Sequence, residues 1–487
     1  MNKRSQRHRQ AKSANGLTNL FNLFLLALYT LASVYLAFLI VTYNFLAFRS
    51  VNWIAIGLLF LVFCLGLLLI VTKKAKLFNS VLLLLSSLLV GAGIFFSHSA
   101  IDLSKQLNQT ASFSQVEMTV IVANDSPLTD ISQVTSLLAP ANDAANLDKL
   151  LANLKAEKSL TPNVDTVDAY QTAYNQIMSD NSKAMALNQA YIPLLEAVDS
   201  EFTSKIRTLY GTKIETPTPP KQTVTNGDAF NIYISGIDSY GPISGVSRSD
   251  VNIIMTVNRQ TKKVLLTTTP RDAYVPIAGG GNGQSDKLTH AGIYGVGSSV
   301  QTLENLYGLP IDYYVRLNFT SFVELIDLVG GIEVDNDQEF TSLHGKYHFP
   351  MGHVTLNAEQ ALTFVRERYS LQGGDNDRGK NQMKIVSALI NKLASLESIG
   401  KYQSLIDGLS GSVQTDMPLS TMMDLANGQL DSGGQYQVTS QAVTGYGSTG
   451  QLPSYAMPNA ALYMVSLDEA SVAQTKQAML DVLEGRG

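Results

Sequence analysis

The chain has 487 residues, 40 acidic against 35 basic side chains, a formal net charge of −5 and one cysteine. That length ordinarily divides into two or three domains. The near-balanced charge argues against a general nucleic-acid binder, which would carry a basic face or domain. One cysteine excludes a disulfide, a Cys-based zinc site and, outside the second apolar run that contains it, a thiol nucleophile.

Residues 1–16 are polar and basic, with Lys3, Arg4, Arg7, Arg9 and Lys12. Three apolar runs follow within 17–97: Leu17 to Phe48, Trp53 to Val71 and Leu77 to Ser97. Each reaches the ~18–20 residues needed to cross a bilayer. A secretory signal would have a shorter apolar core and a small-residue cleavage site, so the runs predict three transmembrane helices. Basic residues favour the cytoplasmic side. Five lie in the N-terminal segment and three (Lys73, Lys74, Lys76) in the second connection, against only Arg49 in the first. A cytoplasmic N-terminus and a large external C-terminal region follow. A split of the 17–48 run into two crossings would reverse that topology. The expected location is a multi-pass cell membrane protein of a bacterium with an external wall, of Gram-positive type.

Residues 98–215 read as a small external α+β accessory domain. Val116 to Val122 has strand character, and helical patches are expected at 146–160, 166–191 and 194–210. Nothing in this segment suggests chemistry, and it reads as a spacer or interaction module. A proline-rich linker at 216–224, opening TPTPPK across 216–221, stiffens the boundary.

From 225 to 487 the pattern alternates strands and helices. Strands are expected at 230–237, 251–257, 263–269, 312–317 and 332–334. Helices are expected at 300–307, 319–328, after Asn357, at 383–396 and at 468–483. Asn357 with Gln360 three residues on is a capping-box pattern. The mixture predicts a three-layer α/β domain with a mixed central sheet.

Nine of the thirteen arginines follow residue 100, and five of these fall in three short motifs. The motifs are RSD (Arg248, Asp250), PRD (Arg271, Asp272) and the stretch 365–382 with Arg366, Arg368, Asp375, Arg378 and Gln382. A guanidinium is a planar fork of donors suited to phosphate oxygens. Asp375, Arg378 and Gln382, at i, i+3 and i+7, share a face if that stretch is helical. Asp238 and Asp250 border strands, where open α/β sheets place ligands, and two carboxylates with phosphate oxygens suit magnesium. Asp238 is equally readable as a turn residue, Asp250 as a partner of Arg248, and Asp375 as a partner of Arg378. Lys287 is a weaker phosphate candidate; His290, His353 and Arg316 read as structural. No GxSxG, HExxH or P-loop is present, so those chemistries lack their parts.

The motifs SGID, RSD, TPRD, KLTHA, DLVGGIEV, ALTFVRER and D-x-x-R-x-x-x-Q, in that order across 230–395, resemble the LytR-CpsA-Psr family of bacterial wall-polymer ligases. The membrane spans and the accessory segment resemble its streptococcal capsule-biosynthesis branch. The resemblance implies a three-layer α/β/α domain and transfer of a capsular polysaccharide from a polyprenyl pyrophosphate carrier to peptidoglycan. It implies magnesium (manganese as a substitute) on Asp238 and Asp250. It implies pyrophosphate held by Arg248, Arg271, Arg366, Arg368, Arg378 and Gln382, with Arg271 and Asp375 catalytic. Phe319, Phe322, Leu325 and Ile385 are candidates to line a lipid tail, although helix cores look the same. Other capsule-assembly proteins are candidate partners. The same arginines would also serve a non-catalytic regulator that binds the lipid, or a lipid pyrophosphatase with water as acceptor. In the family's tyrosine-rich stretch this chain has 292–297, GIYGVG, which leaves the local loop shape open.

Overall fold

A computed structural model describes residues 3–109, 111, 113–217, 227–237, 243, 245–393, 413–432 and 436–486. It divides into two compact units. The first contains residues 1–105 and, unexpectedly, 417–434.

Three helices carry the first unit: α1 (Lys3–Thr42), α2 (Val51–Thr72) and α3 (Lys76–Gln109). All three are long and apolar enough to cross a membrane. Helix α1 is unbroken to Thr42, so the 17–48 run supplies one candidate span, Leu17–Thr42, rather than two. Apolar side chains on lipid-facing surfaces need no partner, but polar ones do. Accordingly Tyr29 OH donates to the Leu59 carbonyl at 2.8 Å, and Asn22 Nδ2 to the Lys76 carbonyl at 3.0 Å. The helix Leu419–Ser432 belongs to this unit. Leu419 packs with Leu39 and Ile101. Asn44 Nδ2 donates to Asp424 Oδ1 at 2.9 Å, and Asn427 Nδ2 to the Asn44 carbonyl at 2.7 Å. Asn44 lies in the first connection, the one expected on the outer side.

In the second unit the accessory segment builds a five-stranded sheet. Its strands are β1 (Phe113–Ala123), β2 (Ser136–Pro140), β3 (Asn163–Val167), β4 (Ala184–Asn188) and β5 (Ile206–Pro217), in the order β3-β2-β4-β1-β5. Two helical expectations are corrected here. Within 166–191 the α-helix is confined to Tyr170–Ser179, with one 3-10 turn at Gln189–Tyr191, because Asp180 accepts from the amide and hydroxyl of Ser182 and turns the chain into the buried strand β4. Of 194–210, the last five residues belong to β5, whose pairing along the whole of β1 overrides local helix preference. The accessory sheet is not a detached module. Ile121, Tyr170 and Tyr191 share one buried cluster with Ile293, Ala456 and Met457. The Val246 amide also donates to the Gln115 carbonyl at 3.1 Å.

The central sheet has six strands and is mixed. Its core is β6 (Ala229–Ile237), β7 (Ser249–Asn258) and β8 (Lys263–Thr268), antiparallel throughout. Strand Tyr313–Leu317 adds in parallel beside β6, and Gln437–Ala442 in parallel beside β8. Val413–Thr415 closes the first edge antiparallel to Tyr313–Leu317. Side chains alternate across a strand, so the two faces take different helices. Tyr233, Ile254 and Leu265 join Leu303, Met479 and Val482 on one face. Thr268 paces the other, so close to the helix Asp375–Leu393 that a Cβ at Gly379 would lie 3.4 Å from it. Helices on both faces give the expected three layers. The capping box at Asn357 forms: its side chain accepts from the Gln360 amide at 2.9 Å, and Gln360 Oε1 accepts from the Asn357 amide at 3.1 Å. A second box at Asn318 with Ser321 starts the helix Phe319–Leu328.

Candidate active site

Three separate motifs converge at one end of the sheet. Asp250 lies at the start of β7, Arg271 in the turn after β8, and Asp375 opens the helix Asp375–Leu393. Asp375, Arg378 and Gln382 therefore do share a helical face, and all three line one cavity with Asp250 and Arg271. Asp377 anchors the start of that helix by accepting from the Gly373 amide at 2.7 Å.

Charge governs the geometry. Arg271 Nη1 sits 2.8 Å from Asp250 Oδ2, with each side chain 19 % exposed. Thr289 Oγ1 donates to the other oxygen of Asp250 at 2.9 Å. Burial pushes the Asp250 pKa up, but Arg271, Arg248 and Arg378 together hold it below the usual carboxylate value. Burial pulls the Arg271 guanidinium down, yet Asp250, Asp272 and Asp375 leave it raised. Arg378, paired with Asp375, goes the other way: burial and the Arg271 charge lower it despite Asp375 and Asp250, with Arg368 also contributing. Arg248, Arg271 and Arg378 thus act on two carboxylates, Asp250 and Asp375, while Arg368 acts on Arg378, and the group leaves net positive charge for an anion. Asp272 is engaged by Lys287 Nζ at 2.8 Å, and Arg271 Nε lies 3.8 Å from its Oδ2. It acts on the guanidinium through its charge.

The cavity measures only about 20 Å³, room for a water molecule or so. A pyrophosphate can enter only if these side chains exchange their mutual pairs for phosphate oxygens. Gln382 holds its place weakly, donating to the Val365 carbonyl at 3.4 Å.

Arg366 is placed differently. It is exposed, its guanidinium lies over the Phe319 ring at 4.2 Å, and it lines a second, larger cavity of about 270 Å³. Arg368 is fixed by Glu367, whose Oε1 accepts from the backbone amides of Arg368, Tyr369 and Ser370. Phe322 and Leu325 are half-buried against the cluster that contains Ile385. Ile385 itself is 1 % exposed, so it offers a lipid no surface unless that core opens. Asp238 lies outside the described residues.

Several contributors were not singled out from sequence. Thr289, inside the quoted KLTHA motif, holds Asp250. Thr268, Asn252 and Asn376 line the cavity; they are small polar residues at strand and helix ends, with no sequence mark of their own. Arg316 is structural but close to the site. It is 4 % exposed and donates to the carbonyls of Ile243 and Gly245, pinning the chain that leads into RSD. Burial brings its pKa down to about 10. His290 is likewise structural: its Nδ1 lies 2.9 Å from the buried Asp286. The 292–297 loop is shaped by a close approach. A Cβ at Gly292 would meet the Ser247 carbonyl at 2.4 Å and the Ser249 amide at 2.7 Å, so only glycine lets this turn abut the RSD backbone.

A mixed three-layer sheet with arginines and carboxylates gathered from separate strand and helix ends defines an anion-handling site on an α/β scaffold. The sequence model of the LytR-CpsA-Psr family matches residues 197–480, and the chain belongs to that family. Residues 197–480 begin before β5, so the match takes in part of the accessory sheet. The chain is 32 % identical over 283 residues to the polyisoprenyl-teichoic acid–peptidoglycan teichoic acid transferase TagU of Oceanobacillus iheyensis, covering 57 % of this chain and 79 % of that protein. It is 31 % identical over 246 residues to the protein of the same name from Bacillus cereus, covering 50 % and 74 %. Among solved structures, TagV of B. subtilis is similar at 29 % identity, with a TM-score of 0.45, over 53 % of this chain and 99 % of that one. Residues 73–187 also match the model of a DNA polymerase processivity factor; that stretch includes the whole of α3, and none of the site residues.

Proposed function

We propose that this protein is a membrane-anchored transferase that moves a glycopolymer, a capsular polysaccharide, from a polyprenyl pyrophosphate carrier to peptidoglycan. The observation that carries the reading is the cluster of Arg248, Arg271, Arg368 and Arg378 around Asp250 and Asp375, in a chain of this family. The acceptor hydroxyl attacks the sugar-linked phosphorus. The bond from that phosphorus to the bridging oxygen breaks, and polyprenyl phosphate leaves. Asp375 takes the hydroxyl proton, and the guanidiniums stabilise charge on the phosphate oxygens, where such reactions gain most. Membrane anchorage keeps the protein in the bilayer that holds its donor.

Magnesium belongs to this proposal. Asp250 is an oxygen donor beside the arginine cluster, which suits that ion, with Asp238 as its expected companion. Both Asp250 oxygens are engaged, by Arg271 and Thr289, so a metal would share Asp250 with Arg271. Such an ion would neutralise phosphate oxygens alongside the guanidiniums.

The test is mass spectrometry of lipid bound to gently extracted wild-type protein and Arg271→Ala. Polyprenyl phosphate or pyrophosphate in the wild type alone supports the assignment. Equal lipid in both removes Arg271 from the site. Cells carrying Arg271→Ala are expected to shed capsular polymer while retaining teichoic acid on the wall; the reverse would reassign the polymer.

A further inference from the structure

The cavity of about 270 Å³ beside Arg366 has no part in the pyrophosphate cluster. Its size is close to the lower end of ordinary small-ligand sites (~300–1,000 Å³), suited to a ring and a short branch rather than a long isoprenoid. Its lining carries both signs of charge, Arg366 with Glu359 and Glu367, together with Thr363, Tyr347 and the apolar Leu362. Tyr347 OH donates to Glu359 Oε2 at 2.8 Å, which fixes that carboxylate. The rim is also built. Glu367 Oε2 accepts from the Leu343 amide while Oε1 gathers the amides of 368–370. Tyr347, half-buried, is the aromatic that lines the cavity. A half-buried aromatic beside polar groups can receive the apolar face of a sugar ring.

The cavity is also next to the chemistry. The Val365 carbonyl, one residue from Arg366, accepts from Gln382 of the cluster. A transferase needs a second ligand on the far side of the phosphate from its leaving lipid. We infer that this cavity is the acceptor subsite, and that it holds an aminosugar with the start of a zwitterionic peptide branch. The lining favours that ligand over the donor's own sugars. Glu359 offers a fixed carboxylate to an amine and Arg366 a guanidinium to a carboxylate, and such a branch carries both. The inference rests on the transferase reading.

The experiment uses the full-length protein in detergent with a peptidoglycan-derived disaccharide–peptide as probe. Leu362→Trp fills the cavity and Glu359→Gln removes the Tyr347-bound carboxylate; both are first checked for unchanged melting and unchanged bound lipid. The acceptor KM is expected to rise about tenfold in Leu362→Trp, the scale of one lost pocket contact. Glu359→Gln should raise it for the amine-bearing probe and not for the N-acetylated one. Saturation-transfer NMR reads the same binding without turnover. Probe signal in the wild type that is lost in Leu362→Trp supports the subsite even if no transfer occurs, in which case only the transferase reading falls. An unchanged acceptor KM and NMR signal in both folded variants overturns the subsite, as does a rise confined to the donor KM.

Discussion

Replacing Asp250 with Asn asks whether the cluster is a charge-balanced unit. Asparagine keeps the shape and can keep the Thr289 hydrogen bond, but it removes a carboxylate on which Arg271, Arg248 and Arg378 all act. Breaking a fully buried pair costs about 3–5 kcal/mol, and an exposed one contributes about 0.2–1 kcal/mol. At 19 % exposure on each side, the loss should fall between, at about 2 kcal/mol. That corresponds to a drop in melting temperature of about 4 °C. The pH dependence has a definite sign. The folded Asp250 pKa is depressed, so its contribution is complete above the unfolded value near ~3.9 and is lost as pH falls through the folded value. The gap between wild type and variant should therefore be full at neutral pH and close in strong acid. Relieved of their counter-charge, the arginines should bind inorganic pyrophosphate more tightly. The ligand-induced rise in melting temperature should then be larger in the variant. Differential scanning fluorimetry of the detergent-solubilised protein, with and without pyrophosphate, measures all three. Identical melting of wild type and variant, with equal pyrophosphate shifts, would refute the idea that Asp250 balances the arginines.

Gly292→Ala should displace the backbone of 247–249, because its Cβ would land 2.4 Å from the Ser247 carbonyl; weaker pyrophosphate stabilisation than wild type is expected, and an unchanged shift would show the two turns to be independent. Asp286→Asn removes a buried acceptor of His290, Ser454 and the Ala456 amide. It should cost about 3 kcal/mol or more and speed amide hydrogen exchange at 456–457, where the accessory sheet packs; unchanged exchange there would count against that anchoring. In a Cys64→Ser background, the pair Asn44→Cys and Asp424→Cys should form a disulfide in isolated membranes under mild oxidation. Failure to cross-link would remove the helix Leu419–Ser432 from the membrane unit.

Local signals determined a large part of this protein. Charge-free apolar runs specify bilayer-crossing helices whatever surrounds them, because lipid leaves the backbone no other partner. The Asn357 capping box and the i, i+3, i+7 spacing of Asp375, Arg378 and Gln382 were legible because a helix brings near neighbours together by itself. That the RSD, PRD and 365–382 motifs hold chemistry worth examining was legible because they gather arginines with aspartates in short stretches. Tertiary structure decided what depends on distant partners. Residues 184–188 and 206–210 became strands because β1 offered them a ladder, which outweighs weak local preference. The edge strands Val413–Thr415 and Gln437–Ala442 are short and carried no periodic signal. The helix between them joined the membrane unit through Leu419, Asp424 and Asn427, contacts spanning more than 370 residues of sequence for the two polar ones. Arg366 and Arg368 stand two apart, yet one lines the larger cavity and the other acts on the cluster at Arg378. Sequence spacing carries no information on where a side chain at a helix end points. That direction is set by the groups packed around it, here the Phe319 ring for one and the Tyr369 ring for the other.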